Sequence, residues 1–178
     1  VGPVAAGDQG YCVAMTDARA ERTFVSTRGA ETRGPLDAFD HLEVRGDDVV
    51  YISGYSLADE ASRVALERLV GRLTQDRVGC RALFDVSPMV GSVPLPALER
   101  IGELKPIWSL NERESGLLAA RLGSVVEADD HASTCEALSG LLGTVLVRAG
   151  ERGSWFADGG SATRTPSIPV TPVDTNGA

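Results

Sequence analysis

The chain has 178 residues, of which 43% are hydrophobic and 24% are charged, proportions typical of a globular protein and not of a disordered or fibrous one. Its 17 Lys and Arg residues against 25 Asp and Glu residues give a net charge of −8, which argues against a nucleic acid partner. The chain has no run of 18 apolar residues and no basic start followed by an apolar stretch. We therefore expect a cytoplasmic protein without a membrane partner.

The cysteines are three in number, lie far apart and form no CxxC pair, so they predict neither a disulfide framework nor a zinc site. We expect Cys12, Cys80 and Cys135 to be reduced and mostly buried.

The first predicted element is a β-hairpin formed by residues 11–16 and 22–27, with a short loop between them. It does not fit the pattern of the later elements, so we expect it to stand apart from the main sheet. Residues 36–44 then predict a short helix, because Pro35 suits a first helical turn and Phe39 and Leu42 fall on one side.

From residue 48 onward, predicted strands and helices alternate. The strands are expected at 48–53, 81–85, 107–110 and 144–148, and the helices at 57–74, 96–105, after Asn111, and from Asp129 or Asp130 to Leu142. Residues 154–158 and 162–170 predict hairpin-like strands. The alternation predicts an α/β fold with a mostly parallel sheet and helices on both faces.

Ligands of such sheets bind beyond the carboxyl ends of the strands. Asn111-Glu-Arg-Glu114 follows one predicted strand. Asn111 could simply cap the next helix. Alternatively, Asn111 faces a polyphosphate and Glu114 holds a magnesium ion or its water shell.

Two further motifs contain glycine. Gly150 and Gly153, which follow Arg148, either form an ordinary turn between strands or let a ligand approach the backbone closely. They do not form the GxGxxG pattern of dinucleotide-binding folds, which disfavours an oxidoreductase. The last motif, Val173-Asp-Thr-Asn-Gly-Ala178, suits either an anion-binding nest or a flexible tail.

Together these motifs resemble one family. The stretches that carry the resemblance are Glu21-Arg-Thr-Phe24 with Arg28-Gly-Ala30, Asn111-x-x-Glu114, Val147-Arg-x-Gly150-x-x-Gly153 and Pro172-Val-Asp-Thr-x-Gly-Ala178. In this order they resemble the PfkB-type carbohydrate kinases, also called the ribokinase-like family, over essentially the whole chain. The last motif is the most specific, and the family continues it as Asp-Thr-x-Gly-Ala-Gly-Asp.

The resemblance implies a three-layer α/β/α sandwich with a small β lid, and a division into a lid hairpin with its connection, 1–34, and an incomplete kinase core, 35–178. It implies ATP and Mg²⁺ as cofactors, together with a monovalent cation near the last motif. It places Glu114 at the metal and Phe24, Arg28 and Gly54 at the sugar and lid. The implied nucleotide-binding residues are Asn111, Arg148, Gly150, Gly153, Asp174 and Thr175, and the anion hole begins at Gly177 and Ala178.

The function implied is phosphoryl transfer from ATP to a sugar hydroxyl. The alternatives are a nucleoside kinase of the same fold and a truncated domain that binds a ligand without catalysis. After strand 81–85 the family often has Asp-x-Asn-x-Arg, whereas this chain has Asp85-Val-Ser-Pro-Met89, so two polar contacts are lost or come from elsewhere.

Three more expectations follow, two from the ends of the chain and one from the hairpin. The proton-accepting Asp of the family motif falls beyond Ala178, so we expect the 178 residues to be an inactive fragment. Missing neighbours would expose apolar residues of the sheet, for which we name Val49, Ile52, Leu83, Val145 and Val147. The one-faced hairpin could pair with a second copy, which predicts a homodimer through the lid.

Overall fold

The computed structural model describes residues 6–17, 22–127 and 129–170. Over these residues the order of elements is a two-stranded hairpin, an alternating α/β region and a final pair of strands. The strands are β1 Cys12–Thr16, β2 Arg22–Ser26, β3 Val49–Ser53, β4 Arg81–Asp85, β5 Ile107–Asn111, β6 Thr144–Arg148, β7 Ser154–Asp158 and β8 Thr163–Thr165. The helices are α1 Glu60–Gln75, α2 Leu95–Gly102, α3 Glu112–Arg121 and α4 His131–Leu142.

The main sheet has the strand order β3-β4-β5-β6-β7-β8. Strands β3 to β6 are parallel, and β7 and β8 join them antiparallel. One row of side chains crosses five neighbouring strands in register, and each side chain in it is at most 3% exposed. The row consists of Ile52, Phe84, Trp108, Val145 and Ala157. The predicted α/β class with a mostly parallel sheet is confirmed.

The helices pack on that row. Each of the four helices contributes to the same apolar cluster, through Leu66, Leu98, Leu118 and Leu138 among others. Strands β3 to β6 are neighbours in the sheet in the same order as in the sequence. When such parallel strands are joined by right-handed crossovers, all the connecting helices lie on one face of the sheet. The four described helices therefore form one helical layer.

The opposite face of the sheet is open over the described residues. Tyr51 and Ile107, which lie in one row across the sheet, are 59% and 37% exposed, and Phe156 is 43% exposed. The prediction of exposed apolar residues is confirmed for Val49. Leu83, on the same face as Val49, is half-buried. The prediction is wrong for the other three, Ile52, Val145 and Val147, which are buried because they belong to the face that the helices cover.

The hairpin is a separate two-stranded sheet, as the sequence predicts. Strands β1 and β2 pair antiparallel from Cys12 opposite Ser26 to Thr16 opposite Arg22. All ten residues of the two strands are exposed. The hairpin thus has no core of its own, and it forms the small lid sheet beside the α/β region.

Several element predictions are corrected by the structure. Residues 36–44 are not helical, since each of the three turns there closes an i to i+3 hydrogen bond, the first from the Ala38 amide to the Pro35 carbonyl. Strand β8 is only three residues long because Pro166 and Pro169 lack the N–H that would extend pairing. The helix expected from residue 57 begins at Glu60, after a 3-10 turn over Gly54–Leu57.

The cysteines are free, but only Cys135 is buried, so the expectation of mostly buried thiols is wrong. Burial raises the pKa of the Cys135 thiol to about 11, which keeps it protonated and unreactive. Among the helices described, none is both long and apolar enough to cross a membrane.

Candidate functional site

The carboxyl ends of strands β3 to β6 lie at one edge of the sheet, and the segments that follow them form the candidate site. Register places Ser53 beside Asp85 and Asn111 beside Arg148. The structure therefore brings together Gly54, Asn111, Glu114 and Arg148, four of the residues that the sequence assigned to a site.

Asn111 and Glu114 form a capping box at the start of α3. Asn111 Oδ1 accepts from the Glu114 amide at 2.9 Å, and Glu114 Oε2 accepts from the Asn111 amide at 2.8 Å. The two side chains thus satisfy backbone donors that a helix start leaves free. The capping role of Asn111 that the sequence offered as one alternative is confirmed.

Glu114 is an unusual capping residue because it is only 3% exposed. Burial raises the pKa of the Glu114 carboxyl group, and the nearby negative charge of Asp85 raises it further. The hydrogen bond from the Asn111 amide and the positive charges of Arg148 and Arg113 act in the opposite direction, but the net pKa is raised. The Glu114 carboxyl group is therefore buried at the carboxyl edge of the sheet and held there by the start of its own helix.

Arg148 and Asp85 form an ion pair next to Glu114. Arg148 Nη2 lies 3.1 Å from Asp85 Oδ2, and their side chains are 46% and 27% exposed. The site therefore brings two carboxylates and one guanidinium close together in space, although the three residues are far apart in sequence. The sequence suggested Arg148 as a site residue but did not predict this ion pair. Asp85 and Arg148 are the last residues of two parallel strands, and the carboxyl ends of parallel strands lie at the same edge of the sheet.

Gly54 is required by close packing between two of these connections. A Cβ at this position would lie 1.9 Å from the carbonyl oxygen of Val86 and 2.8 Å from the Ser87 hydroxyl. Ser87 itself is buried and has a φ of 64°, and its hydroxyl accepts from the Met89 amide at 3.3 Å. The segments after β3 and β4 are thus fixed against each other by backbone contacts.

The two glycines after β6 form a tight turn that leads into β7. Gly150 has a φ of 52° and Gly153 a φ of 94°, and the Ala149 amide donates to the Gly153 carbonyl at 2.8 Å. A Cβ on Gly153 would lie 2.2 Å from the Thr165 carbonyl oxygen. The alternative of a turn between strands is confirmed. A Cβ on Gly150 would meet nothing within 4 Å, so the space outside this part of the turn is open.

The remaining predicted residues lie at the hairpin or outside the described residues. Phe24, opposite Ala14 in the hairpin, is 60% exposed. Arg28 lies 3.1 Å from Asp59, which precedes α1, so the base of the hairpin reaches the connection that begins at Gly54. The other predicted positions, Asp174, Thr175, Gly177 and Ala178, fall outside the described residues.

A second charged cluster at this edge was not found from the sequence. Arg152, in the glycine turn, pairs with Glu112 at the start of α3 and with Asp129 before α4. Because these residues are far apart in sequence, no local pattern reveals the contact. The described ranges contain no group of three His, Cys, Asp or Glu side chains arranged to hold a metal.

Comparison with known proteins agrees with this geometry. The chain is 28% identical over 174 residues to an uncharacterized sugar kinase, YegV, of Escherichia coli K12, a match that covers 98% of this chain and 52% of the relative. The chain thus spans about half the length of the curated relative it matches.

Solved structures share the fold. Fructokinase from Vibrio cholerae O395, bound to fructose, ADP and a calcium ion, matches with a TM-score of 0.69 at 18% identity over 98% of this chain and 55% of its own. Adenosine kinase from Anopheles gambiae matches with a TM-score of 0.76 at 15% identity over 95% of this chain and 52% of its own.

The model of the pfkB family of carbohydrate kinases matches residues 3–178, nearly the whole chain. The mostly parallel sheet agrees with the fold shared with the solved kinase structures. The chain therefore belongs to the pfkB carbohydrate kinase family.

Proposed function

We propose that the full-length protein transfers the γ-phosphoryl group of ATP to a hydroxyl group of a sugar. Membership in a carbohydrate kinase family and the likeness to a sugar kinase support this reaction. The observation that carries it is the buried carboxylate of Glu114, held by its own capping box at the carboxyl edge of the sheet. Phosphoryl transfer depends mainly on positioning and on charge stabilisation, which such an edge can supply.

The acidic residues at this edge fit a magnesium ion. Mg²⁺ in kinases is held by one or two carboxylates together with waters and substrate phosphates, and not by a full cage of protein ligands. Glu114, with Asp85 nearby, meets that modest requirement, and Arg148 keeps the local charge from becoming strongly negative. When bound, the ion would neutralise charge that develops on the phosphates.

The other site residues take supporting parts in this proposal. Arg148 and the backbone at Gly150 and Gly153 contact the nucleotide, while Asn111 holds Glu114 in place through the capping box. On the acceptor side, Arg28 and Gly54 are already linked through the connection before α1. The proposed nucleotide loop is Asp174 and Thr175, beside a monovalent cation, and the proposed anion hole starts at Gly177 and Ala178.

The hairpin is proposed to close over the sugar. A lid excludes water, which would otherwise compete with the sugar as the acceptor. Its exposed apolar side chains, including Val13, Met15, Phe24 and Val25, could pack on the sugar site or on the hairpin of a second copy. A cytoplasmic homodimer joined through the lids is therefore part of the proposal.

The test is an assay of ADP release by the full-length protein with ATP and Mg²⁺, run against a panel of hexoses, pentoses and nucleosides. We expect turnover with at least one sugar well above the rate without an acceptor. Turnover with nucleosides alone would replace the sugar kinase by a nucleoside kinase. Binding of ATP and acceptor without turnover would indicate a domain that binds ligands and does not catalyse. Residues 1–178 alone are proposed to be inactive in the same assay.

A further inference from the structure

Arg152 connects three segments at the carboxyl edge of the sheet. It lies in the glycine turn between β6 and β7, and its guanidinium reaches the carboxylate of Glu112 at the start of α3. Its Nη1 lies 2.8 Å from Asp129 Oδ1, in the segment before α4. One side chain therefore holds the turn, α3 and the start of α4 in fixed relation.

The backbone of Arg152 is held as well. Arg164 in β8 donates two hydrogen bonds to the Arg152 carbonyl oxygen, from Nη2 at 2.8 Å and from Nε at 3.1 Å. The Arg164 guanidinium also lies 5.4 Å from the ring centre of Trp155. The turn is thus fixed from the side of β8 and from the side of α3.

Glu112 has a second close neighbour, His131, to which it makes no hydrogen bond. The Nε2 atom of His131, a residue only 7% exposed, lies 3.3 Å from the carboxylate oxygen that Arg152 also contacts. The His131 ring packs edge-on against Trp155 with a centroid distance of 4.8 Å. Arg152 and His131 thus lie against the same oxygen of the Glu112 carboxylate.

Glu112 directly follows Asn111 and lies two residues before Glu114. The contact between Arg152 and Glu112 thus joins the glycine turn to the helix start that carries the buried carboxylate. In the proposed function, on which this inference rests, the turn contacts the nucleotide and Glu114 organises its metal. The distance between these two parts must match the length of one bound nucleotide with its ion.

We infer that Arg152 is a positioning residue for ATP·Mg²⁺, which sets the glycine turn at the correct distance from Glu114 through its ion pair with Glu112. It acts through the turn and does not itself contact the phosphates. Since exposed ion pairs contribute little to global stability, its loss should alter nucleotide binding more than folding.

The experiment measures the KM for ATP, the KM for the sugar, kcat and the melting temperature of the full-length protein and its variants. Arg152→Gln should raise the KM for ATP about threefold to tenfold, because the glycine turn loses the contact that sets its distance from Glu114. The sugar KM and the melting temperature should stay close to wild type. Arg100→Gln, which breaks a surface pair between Arg100 on α2 and Glu103 just after this helix, is the matched control and should leave all four values unchanged.

Two further variants separate positioning from direct contact. Arg152→Lys should behave like Arg152→Gln, because one ammonium group cannot reproduce the forked contact to two carboxylates. Glu112→Gln should raise the KM for ATP in the same direction, and the double variant should be no worse than Arg152→Gln alone. Full rescue by lysine, additive effects of the two substitutions, or an unchanged KM for ATP would each overturn the inference.

The failure of this inference and the failure of the proposed function can be told apart. If the wild-type protein phosphorylates sugars but the Arg152 variants bind ATP normally, only the positioning role is wrong. If the wild type shows no turnover, calorimetric titration with ATP·Mg²⁺ gives the dissociation constants instead. The same threefold to tenfold weakening is then expected for Arg152→Gln, and its absence, or an absence of ATP binding by the wild type, contradicts the inference.

Discussion

The hairpin and the α/β region are stabilised in different ways. The α/β region has a row of buried side chains across five strands, and four helices cover that row. The hairpin has ten exposed strand residues, and its base is held by a few polar contacts. One of these contacts is Glu31, whose carboxylate accepts from the amides of Gly10 at 2.7 Å and Gly29 at 2.8 Å. Burial of apolar side chains thus stabilises the α/β region, whereas the apolar side chains of the hairpin strands stay exposed.

The largest expected difference in stability is between two variants in which a phenylalanine is replaced by alanine, one in each region. Phe84 is fully buried and packs edge-on against Trp108 at 5.1 Å, so Phe84→Ala should lower the free energy of unfolding of the full-length protein by about 3–5 kcal/mol. Phe24→Ala in the hairpin, measured on the dissociated protomer without sugar, should change it by no more than about 0.5 kcal/mol. Urea unfolding measures both. A similar loss for the two variants would show that Phe24 is buried in the intact molecule.

A smaller effect is expected at the close approach of the segments after β3 and β4. The Cβ of Gly54→Ala would overlap the Val86 carbonyl, so the variant should lose about 1–3 kcal/mol of unfolding free energy as the backbone shifts. Gly79→Ala is the control, because a Cβ there meets nothing within 4 Å. Equal stabilities of the two variants would contradict the described packing.

A still smaller loss should follow removal of the cap of α3. Asn111→Ala removes the side-chain acceptor for the Glu114 amide and should destabilise the full-length protein by about 1 kcal/mol. Asn111→Ser keeps an acceptor and should retain most of the stability. Thermal unfolding distinguishes them, and no difference between alanine and serine would mean that the cap contributes nothing.

The smallest effect on global stability is expected for Glu31. Glu31→Gln replaces the carboxylate whose pKa is lowered mainly by its hydrogen bonds from Gly10 and Gly29. We expect faster amide exchange in the hairpin and an unchanged unfolding midpoint for the α/β region. Slower or unchanged exchange at Gly10 and Gly29 would show that other contacts hold the hairpin.

Local patterns in the sequence predicted the parallel strands well. Strands 81–85 and 144–148 were predicted with the bounds that the structure has, because polar or glycine residues flank short apolar runs. The helix predicted at 36–44 was wrong, since only separate i to i+3 turns form there. Those residues include Asp37, Asp40 and His41, which are weak helix formers.

The candidate site was only partly predictable. The capping motif is local, so the sequence could indicate that Asn111 caps a helix and lies beside Glu114. The pair formed by Arg148 and Asp85 depends on strand order and register, which local patterns do not determine. The contact of Arg152 with Glu112 joins residues 40 positions apart, and no periodicity predicts it.

The central claim is that Glu114 serves the reaction and not only the start of α3. The most direct measurement is of kcat and the sugar KM for the full-length Glu114→Gln variant, with Glu99→Gln on α2 as an exposed control. Glutamine keeps an oxygen that can accept from the Asn111 amide but removes the charge that we propose orders the metal. We expect kcat to fall by at least about a hundredfold while the sugar KM stays within about threefold. An unchanged kcat with only an altered sugar KM would contradict the account and leave Glu114 a capping residue.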